Sequence, residues 1–201
     1  MSTVCVQAAP VVIDFTGQVD QFNPGPFTAG SAMTGQITLD DTVVATGVNN
    51  SFDNVILAFT LTVVDGVNHV FTGSGGRVQQ FIGAGGVEFI DLGLGGVAGG
   101  TVSGNIGGIA MTSFGIDFRG ADLFGDPTVL GTGLTRPDFS RAWLTTRFDV
   151  IGPQGLMVER SLDTVSFTGI PQGAAVSAPG TLALFGLGFF GIAAGLRRRR
   201  T

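Results

Sequence analysis

The sequence is poor in the side chains on which catalytic and metal sites usually depend. It has no lysine and no tyrosine, and it has a single cysteine and a single histidine. Lone Cys5 excludes an internal disulfide, and one thiol with one imidazole, His69, cannot form a zinc site without several carboxylates. Most nucleophile–base pairs are unavailable as well. We therefore expect a non-catalytic protein without a cofactor or a bound metal.

Charge is also scarce, and it is unevenly distributed. All ten basic residues are arginine, and four of them, Arg197, Arg198, Arg199 and Arg200, stand together near the end of the chain. The rest of the chain keeps six arginines against 15 acidic residues, a formal net charge of about −9. So acidic a body cannot bind nucleic acid by neutralising phosphates. Nucleic acid is thereby excluded as a partner.

The first ten residues lack the basic start and the apolar run of a signal peptide. Val6-Gln7-Ala8 nevertheless fits a small-residue cleavage site, with the cut between Ala8 and Ala9. We interpret residues 1–8 as the remnant of a longer signal peptide, which predicts export. The alternative is a native short start on a tail-anchored protein.

The last residues predict a single membrane helix. Residues 181–196 contain no charge, and as a helix they would span roughly 24 Å, slightly less than the ~30 Å hydrocarbon core. The four arginines that follow can extend their side chains to the membrane surface, and their charge keeps this end of the helix in the cytoplasm. The body would then lie outside the cell. We predict a helix over residues 179–196. The alternative, a buried core helix with a solvated basic tail, conflicts with a segment that is apolar on all sides.

The same tail resembles a known bacterial sorting signal. Ser177, Ala178, Pro179, Gly180 and Thr181 precede the apolar run and the arginines. This order is similar to the PEP-CTERM signal of exosortase-processed surface proteins, which usually reads Val-Pro-Glu-Pro-Gly-Thr. The second proline, the glycine and the threonine are kept, whereas Ser177 and Ala178 replace the first proline and the glutamate.

The resemblance implies a partner and a destination. An exosortase, which is a membrane protease or transpeptidase, would cut near Ala178–Pro179. The protein would be held in the inner membrane by its C-terminal helix before processing, and would then be transferred or released to the cell surface or the extracellular matrix. Association with exopolysaccharide and biofilm is implied in the same way. Residues 173–201 would be a linker followed by this signal.

Apolar and polar residues alternate with a period of two through the body, residues 9–172, and this alternation predicts half-buried strands. No segment of the body shows the spacing of apolar residues that is typical of an amphipathic helix. Many short strands between glycine and proline turns predict an all-β fold, an antiparallel β-sandwich or jelly-roll-like body with a single C-terminal transmembrane helix. The apolar sides of the clearest runs are Met33, Ile37 and Leu39; Val55, Leu57, Phe59, Leu61 and Val63; and Phe114, Ile116 and Phe118. Two further strand-like runs are residues 143–151 and 165–168.

A glycine-rich segment, residues 73–108, stands out within the body, since 14 of its 36 residues are glycine. The pattern Gly-x-Gly-Gly recurs at Gly73, Gly83 and Gly93, each time followed by strand-compatible residues. We interpret it as a short meander in which each glycine cluster makes a turn. The turns hold no aspartate, which excludes a calcium-binding nonapeptide repeat.

A few candidates for chemistry remain in the body. Glu88 and Glu159 are the two glutamates and could form a glycosidase-like pair, although solvated strand-face acids are the commoner interpretation. Asp40 with Asp41, and Asp122 with Asp126, could hold Ca²⁺, although turns use aspartate more often. Trp143 is expected in the core rather than on a sugar-stacking platform, and His69 is expected at the surface.

Two functions follow. In the first, an exported, non-catalytic protein is displayed at the cell surface or in the matrix. The alternative is a secreted carbohydrate-binding or carbohydrate-active module that uses the tail as an address. An exposed Trp143 beside paired acids in a groove would favour the alternative, whereas buried or scattered residues would favour the first.

Overall fold

The computed structural model describes residues 10–22, 24–46, 50–149 and 156–168, and the side chains of the last strand at residues 163–165. The described chain is all-β and antiparallel, as the sequence predicts. Its ten strands are β1 (Val11–Gln18), β2 (Ala32–Leu39), β3 (Ser51–Asp65), β4 (Val67–Ile82), β5 (Glu88–Gly95), β6 (Thr101–Ser103), β7 (Asn105–Ile106), β8 (Ile109–Gly120), β9 (Phe139–Phe148) and β10 (Leu156–Thr168). Short 3₁₀ turns occupy Ala84–Gly86, Gly96–Ala98 and Arg136–Asp138.

Eight of these strands form a closed circuit of hydrogen-bonded neighbours. The order is β3-β2-β1-β10-β9-β8-β5-β4, and β4 pairs again with β3. β6 pairs with β4, and β7 pairs with β8. The predicted antiparallel all-β class is confirmed. The finer expectation of a sandwich or jelly roll differs from this pattern, in which the ladder between β3 and β4 joins the strands into one continuous sheet.

The predicted membrane helix, residues 179–196, lies outside the described residues. Within the part of the chain that the structure covers, no helix has the length and apolar character to cross a bilayer.

The core lies inside the circuit and is rich in phenylalanine. Phe27, Phe71 and Phe148 meet edge to face, with ring centroids 5.5 to 6.1 Å apart. Such pairs add roughly 0.5–1.5 kcal/mol each beyond the apolar area that they bury. His69 lies beside this cluster, half-buried, with its ring 5.9 Å from that of Phe27.

The predicted buried sides of β2 and β8 are confirmed, whereas that of β3 is wrong at one position. Leu57 is 52% exposed, and its neighbour Ile56 is buried in its place. The cause is an irregularity in the ladder between β3 and β4, where the register shifts on either side of Ile56. Asn54 takes a positive φ of 55° there. Because side chains alternate along a strand, one inserted residue exchanges the two faces.

The glycine-rich segment forms a meander only in part. The cluster at Gly83 makes the turn between β4 and β5, as predicted, and the cluster at Gly93 ends β5 and enters the turn Gly96–Ala98. The cluster at Gly73 lies inside β4 and makes no turn. Its glycines instead let β6 and the residue before it approach β4 closely, since a Cβ on Gly73 or Gly75 would collide with the backbone of Thr101 or Gly100.

The first and the last described strands lie side by side. β1 pairs with β10 so that Val12 lies opposite Thr168. The strand that opens the body and the strand that closes it are therefore neighbours in the circuit.

Candidate functional site

The residues predicted for sorting and cleavage all lie outside the described residues. They are Ala8 and Ala9; Ser177, Ala178, Pro179, Gly180 and Thr181; and Arg197, Arg198, Arg199 and Arg200. Cys5 lies outside as well. The roles assigned to these residues stay predictions.

Glu88 and Glu159 do not form a pair. Glu88 begins β5, and its Oε2 accepts a hydrogen bond from the Phe124 backbone N–H at 2.9 Å. Glu159 on β10 lies opposite Thr145 on β9. Thr145 lies opposite Gly115 on β8, and Gly115 lies opposite Gly93 on β5, so the four residues form one row across the sheet. Gly93 lies five residues from Glu88 along β5, about 16 Å at 3.3 Å per residue. That backbone separation is too large for two glycosidase carboxylates, which stand about 5–10 Å apart.

Two of the four aspartates considered for calcium, Asp40 and Asp126, cap their own turns. Asp40 Oδ1 accepts hydrogen bonds from the Thr42 N–H and hydroxyl, and Asp126 Oδ1 does the same for Thr128. Those bonds hold the pKa of Asp126 below its usual range. Burial, with the charge of Asp40, raises the pKa of Asp41. No group of three or more potential metal ligands occurs among the described residues.

Trp143 lies on the outer face of the sheet, which corrects the expectation that it belongs to the core. On β9, Ala142 and Leu144 are buried, whereas Trp143 is half-buried on the opposite side. The Arg141 guanidinium stands over the indole, 4.9 Å from the ring centroid. In register across β8 and β5, Trp143 lies opposite Asp117, and Asp117 lies opposite Asp91. The tryptophan therefore sits in one row with a pair of acids.

Side chains of four strands connect into a ladder across this outer face, which we call the outer ladder. Phe81 stacks on Phe89 with centroids 4.7 Å apart and an interplanar angle of 4°. Arg119 lies 4.9 Å above the Phe89 ring and donates two 2.9 Å hydrogen bonds to Asp117. Arg141 Nε, 3.8 Å from Asp117 Oδ1, continues the ladder to Trp143. These contacts fix the side chains of β4, β5, β8 and β9 relative to one another.

Asp91 is the strongly perturbed acid among the described residues of this face. Burial and, after it, the neighbouring Asp117 carboxylate raise its pKa to about 6, against the opposing charges of Arg119 and Arg141. Asp91 Oδ1 is buried and has no hydrogen-bond partner among the described residues. Two carboxyl groups side by side cannot both ionise freely. The Arg119 and Arg141 guanidiniums lie against Asp117, while Asp91 keeps its proton up to about pH 6.

The sequence did not indicate this acid pair. Asp91 and Asp117 each occupy the polar side of an alternating run, a position where a solvated carboxylate is ordinary. They become neighbours because β5 pairs with β8, while β6 and β7 stand between them in the chain. A pairing between strands that are not consecutive leaves no local signal in the sequence.

Replacing Asp91 by asparagine should raise the free energy of unfolding by about 2 kcal/mol at pH 7, and should change it little below pH 4. The folded protein holds the Asp91 proton up to about pH 6, whereas the unfolded chain releases it near the ordinary value of 3.8. Wild-type stability due to this group is therefore present below pH 4 and is lost as pH rises to about 6. Urea unfolding of both proteins from pH 3.5 to 7.5 measures the difference.

Asp126→Asn is the control with the opposite sign. Its lowered pKa stabilises the wild type above about pH 4, so this variant should lose stability relative to the wild type as pH rises from 3 to 5. A difference between wild type and Asp91→Asn that stays constant across pH would show that Asp91 titrates normally.

The described body defines the class of this protein as an all-β, antiparallel domain with an outer face that carries an acid pair, arginines and aromatic rings. Residues 175–200 match the family model of the PEP-CTERM protein-sorting motif. This match confirms the resemblance of the tail to the PEP-CTERM signal and identifies residues 175–200 as that motif. No curated protein and no solved structure matches the chain.

Proposed function

We propose that the protein is an exported, non-catalytic protein of the cell surface or the extracellular matrix, which an exosortase sorts and cuts through its tail. The observation that carries this proposal is the PEP-CTERM motif at residues 175–200. In this proposal a C-terminal helix holds the protein in the inner membrane before the cut. Association with exopolysaccharide or biofilm belongs to the same proposal and rests on the family resemblance alone.

The position of the motif suits such processing. The last described strand residue, Thr168, precedes the start of the motif at residue 175 by seven residues. A cut near Ala178–Pro179 would leave every strand of the circuit intact. The body could then be released or transferred as a folded unit.

Intact-mass analysis of the protein from the native cell surface and medium, with peptide mapping of both ends, tests the sorting proposal. We expect an N-terminus at Ala9 and a C-terminus near Ala178. A deletion of the gene for the exosortase serves as the control, because it should leave the tail attached. A mature protein that keeps all four arginines in the presence of the enzyme would contradict the proposal.

We infer a second candidate function, binding of carbohydrate by the body, from the position of Trp143. An exposed Trp143 beside paired acids in a groove would favour this alternative; Trp143 does lie outward in one row with Asp117 and Asp91, but it is half-buried and the Arg141 guanidinium stands over its ring. Aromatic rings that combine apolar area with polar neighbours are common in binding surfaces. Sorting through the tail and binding by the body are compatible, because they use different parts of the chain.

A further inference from the structure

Two acids and two arginines of the outer ladder are unevenly paired. Asp91 and Asp117 lie directly opposite each other on β5 and β8. Both guanidinium groups nevertheless contact Asp117, since Arg119 donates two hydrogen bonds of 2.9 Å and Arg141 Nε lies 3.8 Å from Asp117 Oδ1. Asp91 Oδ1 is buried without a hydrogen-bond partner among the described residues. One acid therefore has two cationic partners, and the other forms no ion pair with a residue that the structure describes.

Arg141 is held more weakly than Arg119. Its contact of 3.8 Å with Asp117 is too long for a hydrogen bond, and 43% of its side chain is exposed. Its other contact is with the Trp143 ring, whose centroid lies 4.9 Å from the guanidinium carbon. A cation over an aromatic ring is bound only weakly at an exposed site. Arg141 can therefore leave the indole when a second carboxylate becomes available.

Few charged groups surround Asp91. Its direct neighbours in register are Gln79 on β4 and Asp117 on β8. The charged residues in the flanking rows of the nearby strands are Arg77 on β4, Arg119 on β8 and Arg141 on β9. Asp53 on β3 is separated from Asp91 by one strand, and Glu159 on β10 is separated from it by two strands, about 14 Å between the strand axes. Asp117 is thus the acid that faces Asp91 directly, and its charge opposes the ionisation of Asp91.

Loss of the Asp91 proton changes which arrangement of the arginines is most stable. With its pKa raised to about 6 by burial and by Asp117, about nine molecules in ten hold this proton at pH 5 and about one in ten at pH 7. Once the proton has left to water, two adjacent carboxylates repel each other. Each carboxylate is then stabilised best by a guanidinium of its own, because charge-assisted hydrogen bonds are the strongest that either can form.

We propose that the ionisation of Asp91 divides the two arginines between the two acids and uncovers the Trp143 ring. Arg119 turns toward Asp91 on the neighbouring strand, while Arg141 leaves the indole and forms a hydrogen-bonded ion pair with Asp117. In acid, the proton on Asp91 restores the arrangement in which Arg141 stands over the ring. The outer ladder thus exposes its tryptophan near neutral pH and covers it at about pH 5 and below. Carbohydrate binding by the body is not required for this device.

Acrylamide quenching of tryptophan fluorescence measures this cover, because Trp143 is the only tryptophan and the chain has no tyrosine. Acrylamide is uncharged, so nearby charges do not attract or repel it. The full-length chain, in a nonionic detergent at constant ionic strength, is titrated from about pH 4.5 to 7.5. We expect the quenching constant to rise with pH around a midpoint near pH 6, with about four-fifths of the change between pH 5 and pH 7. A quenching constant that stays the same, in a protein that circular dichroism shows to be folded throughout, would overturn the proposal.

Three variants test the residues of this device. Asp91→Asn should lose the transition and keep the low quenching of the acid form at every pH. Arg141→Gln should lose it as well, but with the high quenching of the neutral form at every pH. Arg119→Gln should show high quenching already at pH 5, because Asp117 then draws Arg141 from the ring. A transition that persists in Asp91→Asn or in Arg141→Gln would contradict the proposal, and so would low quenching of Arg119→Gln at pH 5.

Two further variants are controls for other groups that could produce a pH dependence. His69 is the only histidine, a residue type that changes charge between about pH 5 and 8, and it lies beside Phe27 of the core cluster. Glu159 lies opposite Thr145, one row from Trp143. His69→Gln and Glu159→Gln should each keep the transition at the wild-type midpoint. If either change abolished the transition, the pH dependence would belong to that residue and the role given to Asp91 would be wrong.

Discussion

Replacing Gly100 by alanine should lower the free energy of unfolding by about 3 kcal/mol, whereas the same change at adjacent Gly99 should cost about 1 kcal/mol. Both glycines have a φ of 72°, a backbone conformation that strains alanine at either position. At Gly100, however, a Cβ would also lie 2.5 Å from the Ser74 carbonyl oxygen and 2.8 Å from the Gly75 carbonyl carbon. At Gly99 it would meet no atom within 4 Å.

The collision at Gly100 cannot be relieved cheaply, because its partners are backbone atoms. Ser74 and Gly75 belong to β4, which pairs with β3 on one side and with β6, through Thr72 to Ser74, on the other. Moving them would break ladder hydrogen bonds that close the strand circuit. Urea unfolding of the two single variants, with the slope checked for constancy, measures the difference. Equal losses at Gly99 and Gly100 would show that φ strain alone matters.

The strands that were predictable from the sequence are those whose burial is governed by simple alternation. Phe114, Ile116 and Phe118 are buried on β8, and Met33 and Ile37 are buried on β2, as their spacing predicts. Half-buried antiparallel strands impose a period of two on the sequence itself. The all-β class therefore needed no knowledge of strand pairing.

The features that were missed depend on residues far apart in the chain. The exchange of Leu57 for Ile56 arises from an irregular ladder between β3 and β4, which alternation alone does not show. The glycines at Gly73 and Gly75 look like turn residues, yet they serve the close approach of the β6 segment. A glycine that permits a positive φ and a glycine that admits a neighbouring backbone are indistinguishable in a single sequence.

The candidate sites divide in the same way. The sorting motif could be predicted because it is read as a short linear sequence, and the match at residues 175–200 agrees with it. The outer face could not be predicted, since Asp91, Asp117 and Trp143 meet only through the pairing of β5, β8 and β9. Trp143 was expected in the core, but its position between buried Ala142 and Leu144 on β9 places it outward.

A second large effect is expected from Gln80, a fully buried amide that fastens the connection between β8 and β9 to the core. Its Nε2 donates hydrogen bonds to the carbonyl oxygens of Pro127 and Val129, at 3.1 and 2.8 Å, and its Oε1 accepts one from the Gly131 N–H at 3.1 Å. The side chain has no exposed surface. Gln80→Leu keeps the side-chain volume but leaves three buried backbone groups without a hydrogen-bond partner. This loss should lower the free energy of unfolding by about 4 kcal/mol in total.

Gln79→Leu is the matched control for that change. Gln79 is the preceding residue of β4 and points to the outer face, and its side chain makes no hydrogen bond with a residue that the structure describes. Its replacement should alter stability by about 0.5 kcal/mol or less. Amide hydrogen exchange adds a local readout, because the Gly131 N–H should exchange faster in Gln80→Leu and at the wild-type rate in Gln79→Leu.

Gln80→Glu separates hydrogen bonding from packing. It preserves size and the acceptor for Gly131, but it turns an ionised oxygen toward the carbonyls of Pro127 and Val129, so it should be at least as damaging as leucine above pH 7. Its stability should recover in part as the solution is acidified, because a protonated carboxyl can donate to one of the two carbonyls. If all three variants were equally mild, the connection would be held by its apolar residues, Leu123, Leu130 and Leu134, and the buried amide would be dispensable.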